Sequence, residues 1–364
     1  MKRKIFFITR NLAGGGAERV ISNLANHFSN LDYEVTLVCL DQGEKKYNID
    51  PAVTVRSLVN RKYKENIFTR LYYALVTFLK LMRIINKEQP YCCISFMTSV
   101  NVWTGFCCLL SNKDYIVSER NSPFETIEKL SKLSKWITYH IYRKAKAVVL
   151  PSKKMVNTYN DLPHFKNLKN LVTIFNPVHV FSGSLGSAVY PKDFILSVGR
   201  LNKHKGFDVL IEAFYQLKDY DVDLLISGVG PYQQILENKV QELGLSSRVK
   251  FIGFRKNIHD YYTQASLFVS ASRFEGYPNV LVEAMSLGCP TVATDCNFGP
   301  SEIIENGVNG FLVQVDNRDA LANAMEALLK DEELRAKYSK IGKRINETNS
   351  IENIAEKWNN LIVS

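Results

Sequence analysis

The chain has 364 residues, 46% hydrophobic and 23% charged, proportions that suit two ordinary folded domains and exclude a disordered chain. Its net charge of +10 is uneven: residues 1–176 hold 27 Lys and Arg against 13 Asp and Glu, and the remainder 19 against 23. A polyanionic partner, either nucleic acid or an acidic membrane surface, should therefore meet the first half.

At the start, Met-Lys-Arg-Lys-Ile-Phe-Phe-Ile runs into a strand pattern with no signal-peptide cleavage region. Asn11-Leu-Ala-Gly-Gly-Gly follows, then a helix from Ala17 with Val20, Leu24 and Phe28 at helical spacing. Val35 to Leu40 is a second strand. Gly14-Gly-Gly16 with Asp41 invites a dinucleotide reading, but the third glycine position of that fingerprint is Arg19, whose side chain would crowd helix against strand. The loop is kept as a ligand contact through its free amides and close backbone approach. Residues 61–83 mix basic residues with Ile67, Phe68, Leu71, Tyr72, Leu75 and Phe78. The most apolar stretch, Ile67 to Ile85, is broken by Arg70, Lys80 and Arg83, so no bilayer-spanning segment is expected.

Cys92 to Phe96, Tyr115 to Ser118 and Ala147 to Leu150 are further strands. Ser118-Glu-Arg-Asn121 ends one of them. There Arg120 either holds an acceptor phosphate or donor sugar, or joins Glu119 in a buried network bracing the loop. Lys129, Lys132, Lys135 and Arg143 fall on one side of a helical wheel, opposite Leu130, Leu133, Ile137 and Ile141. Two basic amphipathic helices in a strongly positive half favour contact with an anionic membrane. All seven cysteines lack zinc or redox spacing and read as buried reduced thiols.

The α/β pattern restarts after Asn176-Pro177, with Ser182-Gly-Ser-Leu-Gly-Ser as the linker candidate. Strands are expected at Phe194–Val198, Val222–Ser227, Val249–Ile252, Leu267–Ser270 and Pro290–Thr294, and a last helix over Ile351–Ile362. This divides the chain into 1–176, a hinge over 177–192, 193–345, and a C-terminal segment 346–364 packing back towards the first domain. Strands alternating with helices give two Rossmann-like parallel-sheet domains facing across a cleft, with ligands at the strand carboxyl edges.

The chemistry concentrates in the second half. In Glu275-Gly-Tyr-Pro-Asn-Val-Leu-Val-Glu283 two carboxylates stand eight positions apart, the second on a helix opening after Pro278. A helix start between two hydroxyl-accepting carboxylates suits a diphosphate joined to sugars, the outline of a nucleotide-sugar site. Arg200, ending the first strand of this half, and Lys205 of Lys205-Gly206 are cations able to neutralise a diphosphate without a metal. His204 reads as surface exposed. Gly228-Val-Gly-Pro231 is a tight turn, and Asp221-Val-Asp223 begins a strand away from the ligand edge and reads as structural.

The run from Arg273 through Glu275 and Glu283 to Thr294 resembles the Glu-x7-Glu signature of retaining glycosyltransferases of family 4, which have the GT-B fold. Ser197-Val-Gly-Arg-Leu with Lys205-Gly, Gly299-Pro-Ser-Glu-Ile-Ile, Asn309-Gly-Phe-Leu-Val, Asn176-Pro177 and the N-terminal Gly-Gly-Gly-Ala-Glu-Arg extend the resemblance over nearly the whole chain. The N-terminal loop and Ser-Glu-Arg-Asn most resemble bacterial enzymes of capsule, O-antigen or lipid-linked oligosaccharide assembly.

The resemblance implies that Glu283 binds ribose hydroxyls and Glu275 the sugar ring. Arg200 and Lys205 hold the diphosphate, with Gly15, Gly16, Gly276, Pro278, Asn279 and Val280 completing the donor site. Arg120 and Asn121 would meet the acceptor, although many relatives carry His at the position of Arg120. Glu275, Arg200 and Lys205 are then the catalytic set of a retaining, metal-independent hexosyltransferase needing no cofactor. It would move sugar from a nucleotide donor, UDP in first place, to a polyprenyl-diphosphate saccharide at the inner face of the cell membrane. A sugar-nucleotide epimerase of the same architecture and a non-catalytic sugar-nucleotide-binding protein are the alternatives. No nucleic-acid recognition module is present in the sequence, so nucleic acid is not an expected partner.

Overall fold

The computed structural model describes residues 2–44, 46–60, 66–178 and 187–364. The linker candidate from Ser182 to Gly186 and the basic residues Arg61 to Lys64 lie outside them. The chain forms two compact units, one made of Met1–Pro177 with Ile351–Ser364, the other of Val178–Ser350.

In the first unit β1 (Arg3–Thr9), α1 (Gly16–Ser29), β2 (Tyr33–Asp41), β3 (Thr54–Val59), α2 (Ile67–Glu88) and β4 (Cys92–Phe96) come first. Then follow α3 (Thr98–Leu110), β5 (Asp114–Ser118), α4 (Lys132–Lys144), β6 (Ala147–Leu150), α5 (Lys153–Asp161) and β7 (Leu171–Thr173). The sheet order is β3-β2-β1-β4-β5-β6-β7, with parallel pairing. Strands such as Ile5-Phe-Phe-Ile8 are buried on both faces, as continuous apolar runs require in a sheet covered by helices on each side. Val20, Ile21, Leu24, Ala25 and Phe28 of α1 form its buried face and share a core with Phe7, Phe96 and Trp358.

The second unit contains β8 (Phe194–Val198), α6 (Phe207–Tyr215), β9 (Asp223–Ser227), α7 (Gln233–Glu242), β10 (Val249–Gly253), α8 (Ile258–Gln264) and β11 (Leu267–Ser270). It continues with α9 (Asn279–Ser286), β12 (Thr291–Thr294), α10 (Pro300–Ile303), β13 (Phe311–Val313), α11 (Arg318–Lys330), α12 (Glu332–Gly342) and α13 (Ile345–Thr348). Its parallel sheet runs β10-β9-β8-β11-β12-β13. Val189 and Tyr190 bond to Gln264 and Asp223 of this unit, so Asp223 is a bracing group at the strand's amino end.

The last helix, α14 (Ile351–Val363), returns to the first unit, where Ile354, Ala355, Trp358 and Ile362 are buried. Tyr33 donates to Asn359 at 2.6 Å and Lys146 to the Ile362 carbonyl at 3.0 Å. The two sheets therefore form two α/β units of the doubly wound type. Among the described residues, no helix is long and apolar enough to cross a membrane.

Candidate active site

In the second unit the strand order reverses between β8 and β11, and the loops leaving both strands at their carboxyl ends carry the predicted residues. Arg200 follows β8 and is exposed; Lys205 ends a single 3-10 turn over Lys203–Lys205. Glu275 follows β11. Its carboxylate accepts from Lys205 Nζ at 2.6 Å and from Ser272 Oγ at 2.7 Å. The two side chains are 21% and 10% exposed, so the ion pair is half withdrawn from water.

These loops sit against one another backbone to backbone. Gly206 has φ of 63°, and a Cβ there would lie 1.9 Å from the Ala271 carbonyl oxygen. Gly228, at φ of 145°, meets the Gly199 carbonyl oxygen at 1.8 Å in the same sense. Only glycine combines those torsions with that approach.

Arg273 ties the arrangement together. Its guanidinium donates to both oxygens of Asp208 at 2.9 and 2.8 Å, to Asp316 at 2.7 Å and to the Lys203 carbonyl at 2.7 Å. Burial pushes the Asp208 carboxyl up, but the bonds and charge of Arg273 outweigh it and hold it below its ordinary value. In the sequence Arg273 stands out only as part of a motif. Its partner Asp208 lies on another element, and no local spacing joins the two.

Glu275 leads directly into α9, whose N-cap is Pro278, with no side-chain cap. Gly276 and Pro278 are buried there, and Asn279 and Val280 form the half-buried first turn. The positive end of the helix thus opens beside the Lys205–Glu275 pair. Glu283, one turn further along, is only 2% exposed and accepts a long bond of 3.4 Å from Tyr262.

In the first unit Gly15 caps α1, and its carbonyl accepts from the Tyr47 hydroxyl at 2.8 Å; Gly16 begins the helix. Ser118-Glu-Arg-Asn leaves β5. Glu119 is enclosed by Tyr142, Thr98 (2.8 Å) and Asn101 (3.3 Å). Arg120 turns elsewhere: Nη1 donates to Asn176, and the guanidinium lies over Phe96 at 4.5 Å and Trp358 at 5.7 Å. Its Nε and Nη2 are buried without a partner. Asn121 is exposed. Glu119 and Arg120 thus brace two different surroundings.

The basic helices also differ in detail. The helix α4 begins at Lys132, so Lys129 and Leu130 precede it, and Leu133 is exposed while Ile141 is buried. On α2, Ile67, Phe68, Leu71, Tyr72, Leu75 and Leu79 are all exposed. A contiguous apolar stripe of this kind marks an interaction surface.

Two protein-family models match the chain: Glycosyltransferase Family 4 over residues 14–180 and Glycosyl transferases group 1 over residues 188–345. The chain is 29% identical, over 92% of its length and 93% of the relative's, to a Campylobacter jejuni enzyme. That relative is the N-acetylgalactosamine-N,N'-diacetylbacillosaminyl-diphospho-undecaprenol 4-alpha-N-acetylgalactosaminyltransferase. It is 28% identical to the amylovoran biosynthesis glycosyltransferase AmsD of Erwinia amylovora, over 96% of each chain. In fold it resembles Anabaena HepE, solved in complex with UDP and glucose, with a TM-score of 0.84 over the whole of both chains at 21% identity.

Proposed function

The chain belongs to glycosyltransferase family 4, with GT-B architecture, and on that basis we propose that it transfers a sugar, with retention, from a UDP-sugar to a polyprenyl-diphosphate-linked saccharide in surface-polysaccharide assembly. The observation that carries this reading is the Lys205–Glu275 pair at 2.6 Å, set beside the start of α9 with Arg200 on the neighbouring loop. The acceptor class is supported by the Campylobacter relative, whose own substrate is a diphospho-undecaprenol saccharide.

The charges suit the chemistry. Breaking the bond between the anomeric carbon and the phosphate oxygen leaves the electron pair on the diphosphate and positive charge on the sugar. Arg200, Lys205 and the first amides of α9 stabilise the departing anion; Glu275, poised by Lys205 and Ser272, supports the cationic ring. The acceptor hydroxyl attacks from the face the diphosphate leaves and passes its proton to a phosphate oxygen. Glu283 takes the ribose, and Gly15 and Gly16 bring their backbone to the donor. Arg120 and Asn121 belong to the acceptor side. Side chains and amides supply the counter-charge, so transfer proceeds without a divalent metal. The exposed α2 stripe, flanked by Arg70, Lys80 and Arg83, rests on an anionic bilayer.

The test is transfer from a panel of nucleotide sugars to a short-chain polyprenyl-diphosphate saccharide, followed by mass spectrometry in the presence of EDTA. One donor should give a product heavier by one sugar. Glu275→Ala and Arg200→Ala should each lower turnover by about 10²–10³-fold. Epimerised donor with no acceptor product, or full turnover in Glu275→Ala, overturns the reading.

A further inference from the structure

In the second unit, the segments following β8, β11 and β13 meet on one side chain. Arg273, in the loop after β11, is only 15% exposed and uses four of its five N–H donors. They reach the Lys203 carbonyl and the Asp208 carboxylate, which flank Lys205 in the segment joining β8 to α6, and Asp316 in the turn after β13. The Arg273 amide adds a fifth bond, 2.7 Å to the His204 carbonyl. Two successive carbonyls of the turn that carries Lys205 are therefore held by this one residue.

That turn has little rigidity of its own. It is a single 3-10 turn, whose internal bonds are long: Lys205 N to the Asn202 carbonyl at 3.2 Å and Gly206 N to the Lys203 carbonyl at 3.4 Å. Its place is fixed from the neighbouring loop. Arg273 stands two residues before Glu275, so the loop that presents the carboxylate also anchors the turn that presents its cation. The 2.6 Å contact between Lys205 Nζ and Glu275 is the end of that linkage. Arg273 is itself a poor ligand for a diphosphate. Asp208 grips it through both oxygens and Asp316 adds a second negative charge, so its positive charge is already matched. Arg200, by contrast, is exposed.

We propose that Arg273 is a positioning residue: by clamping the Lys203–Lys205 turn to the loop of Glu275, it sets where the Lys205 ammonium stands against the leaving diphosphate. This role rests on the transferase reading, which puts Lys205 at the diphosphate. Arg273 touches neither donor nor acceptor and acts only through Lys205. A charge-stabilising group displaced by about 1 Å loses on the order of 10²-fold in rate. Lysine at position 273 keeps the charge but offers one point in place of a planar fork, so it cannot hold Asp208, Asp316 and the Lys203 carbonyl together.

The test is a double-mutant cycle on the full chain with Arg273→Lys, Lys205→Ala and the two combined. Transfer kinetics give kcat and the donor KM, and calorimetry gives UDP affinity. Arg273→Lys should lower kcat about 10–100-fold while KM moves less than about threefold. In the Lys205→Ala background the same change should cost less than about twofold, because its effect passes through Lys205. Apart from turnover, acetylation of Lys205 by N-hydroxysuccinimide acetate, read by peptide mass spectrometry against the exposed Lys337, should rise severalfold in Arg273→Lys. Should that variant fail to fold, Asp208→Asn loosens the same clamp from its other side and is carried through the same cycle. Unchanged kcat, a full cost retained without Lys205, a loss confined to UDP affinity, or unchanged labelling of Lys205 overturns the assignment. Absence of both UDP binding and transfer in the unmodified chain would instead sink the transferase reading, and the labelling of Lys205 would still decide the clamp.

Discussion

Glu119 is a carboxylic acid enclosed by protein, and its environment gives the first unit a dependence on pH. Burial raises its pKa from the ordinary 4.5 to about 7, against the bonds from Tyr142, Thr98 and Asn101, which lower it. Between those two values the folded chain holds a proton that the unfolded chain has released, so this group's contribution to stability falls as pH rises through the window. Glu119→Gln removes the titration. The thermal midpoint of the unmodified chain minus that of the variant should fall from about pH 5 to about pH 7 and stay level above it; a difference independent of pH would refute the assignment. Glu119 and Arg120 were legible as a polar pair at a strand end, but not as residues with separate surroundings. The ring over Arg120 belongs to Trp358, far later in the chain, and no local pattern announces it. Asp41 was legible only as the acid of a dinucleotide fingerprint that failed. That it lines one crevice with Trp103 depends on the packing of α2 and α3.

At the scale of elements, the strands with continuous apolar runs were readable because both faces of each are covered. The strands β3, β7 and β13 escaped the pattern. All three are edges of their sheets, and the short β7 and β13 are only half buried along their length. An edge strand owes its place to one neighbour more than to its own composition. Helix α2 was readable as amphipathic, and the structure leaves Phe68, Leu71 and Leu75 at 77, 65 and 58% exposure. Inserting such side chains into a bilayer interface contributes about 1.5–3 kcal/mol each, against about 1 kcal/mol for each nearby Lys or Arg. The triple variant Phe68→Ser, Leu71→Ser, Leu75→Ser should therefore lose at least about 100-fold in affinity for phosphatidylserine-containing vesicles in flotation assays, with its circular dichroism unchanged. Undiminished flotation would remove α2 as the membrane contact.

Taken whole, the molecule is two units of which the first is completed by the last helix. Trp358 is fully buried and stacks on Phe96 with centroids 5.7 Å apart and planes 22° from parallel. Trp358→Ala should cost about 3–5 kcal/mol. The loss should fall on the unit holding residues 1–177 and leave the other almost untouched. Hydrogen exchange read separately over the two units checks this: faster exchange confined to the first unit is expected, and equal loss in both would deny their independence. Trp358→Phe should recover much of the protection.

That returning helix also fixes an order of assembly at the ribosome. The segment begun first is finished last, because some 170 residues of the second unit are translated between Pro177 and Ile351. At about 5–20 residues per second the ring of Phe96 waits roughly 13–50 s for its lid. A nascent chain stalled within that interval presents an open first unit and an unfinished second one, a substrate for chaperones and proteases before it can be a catalyst.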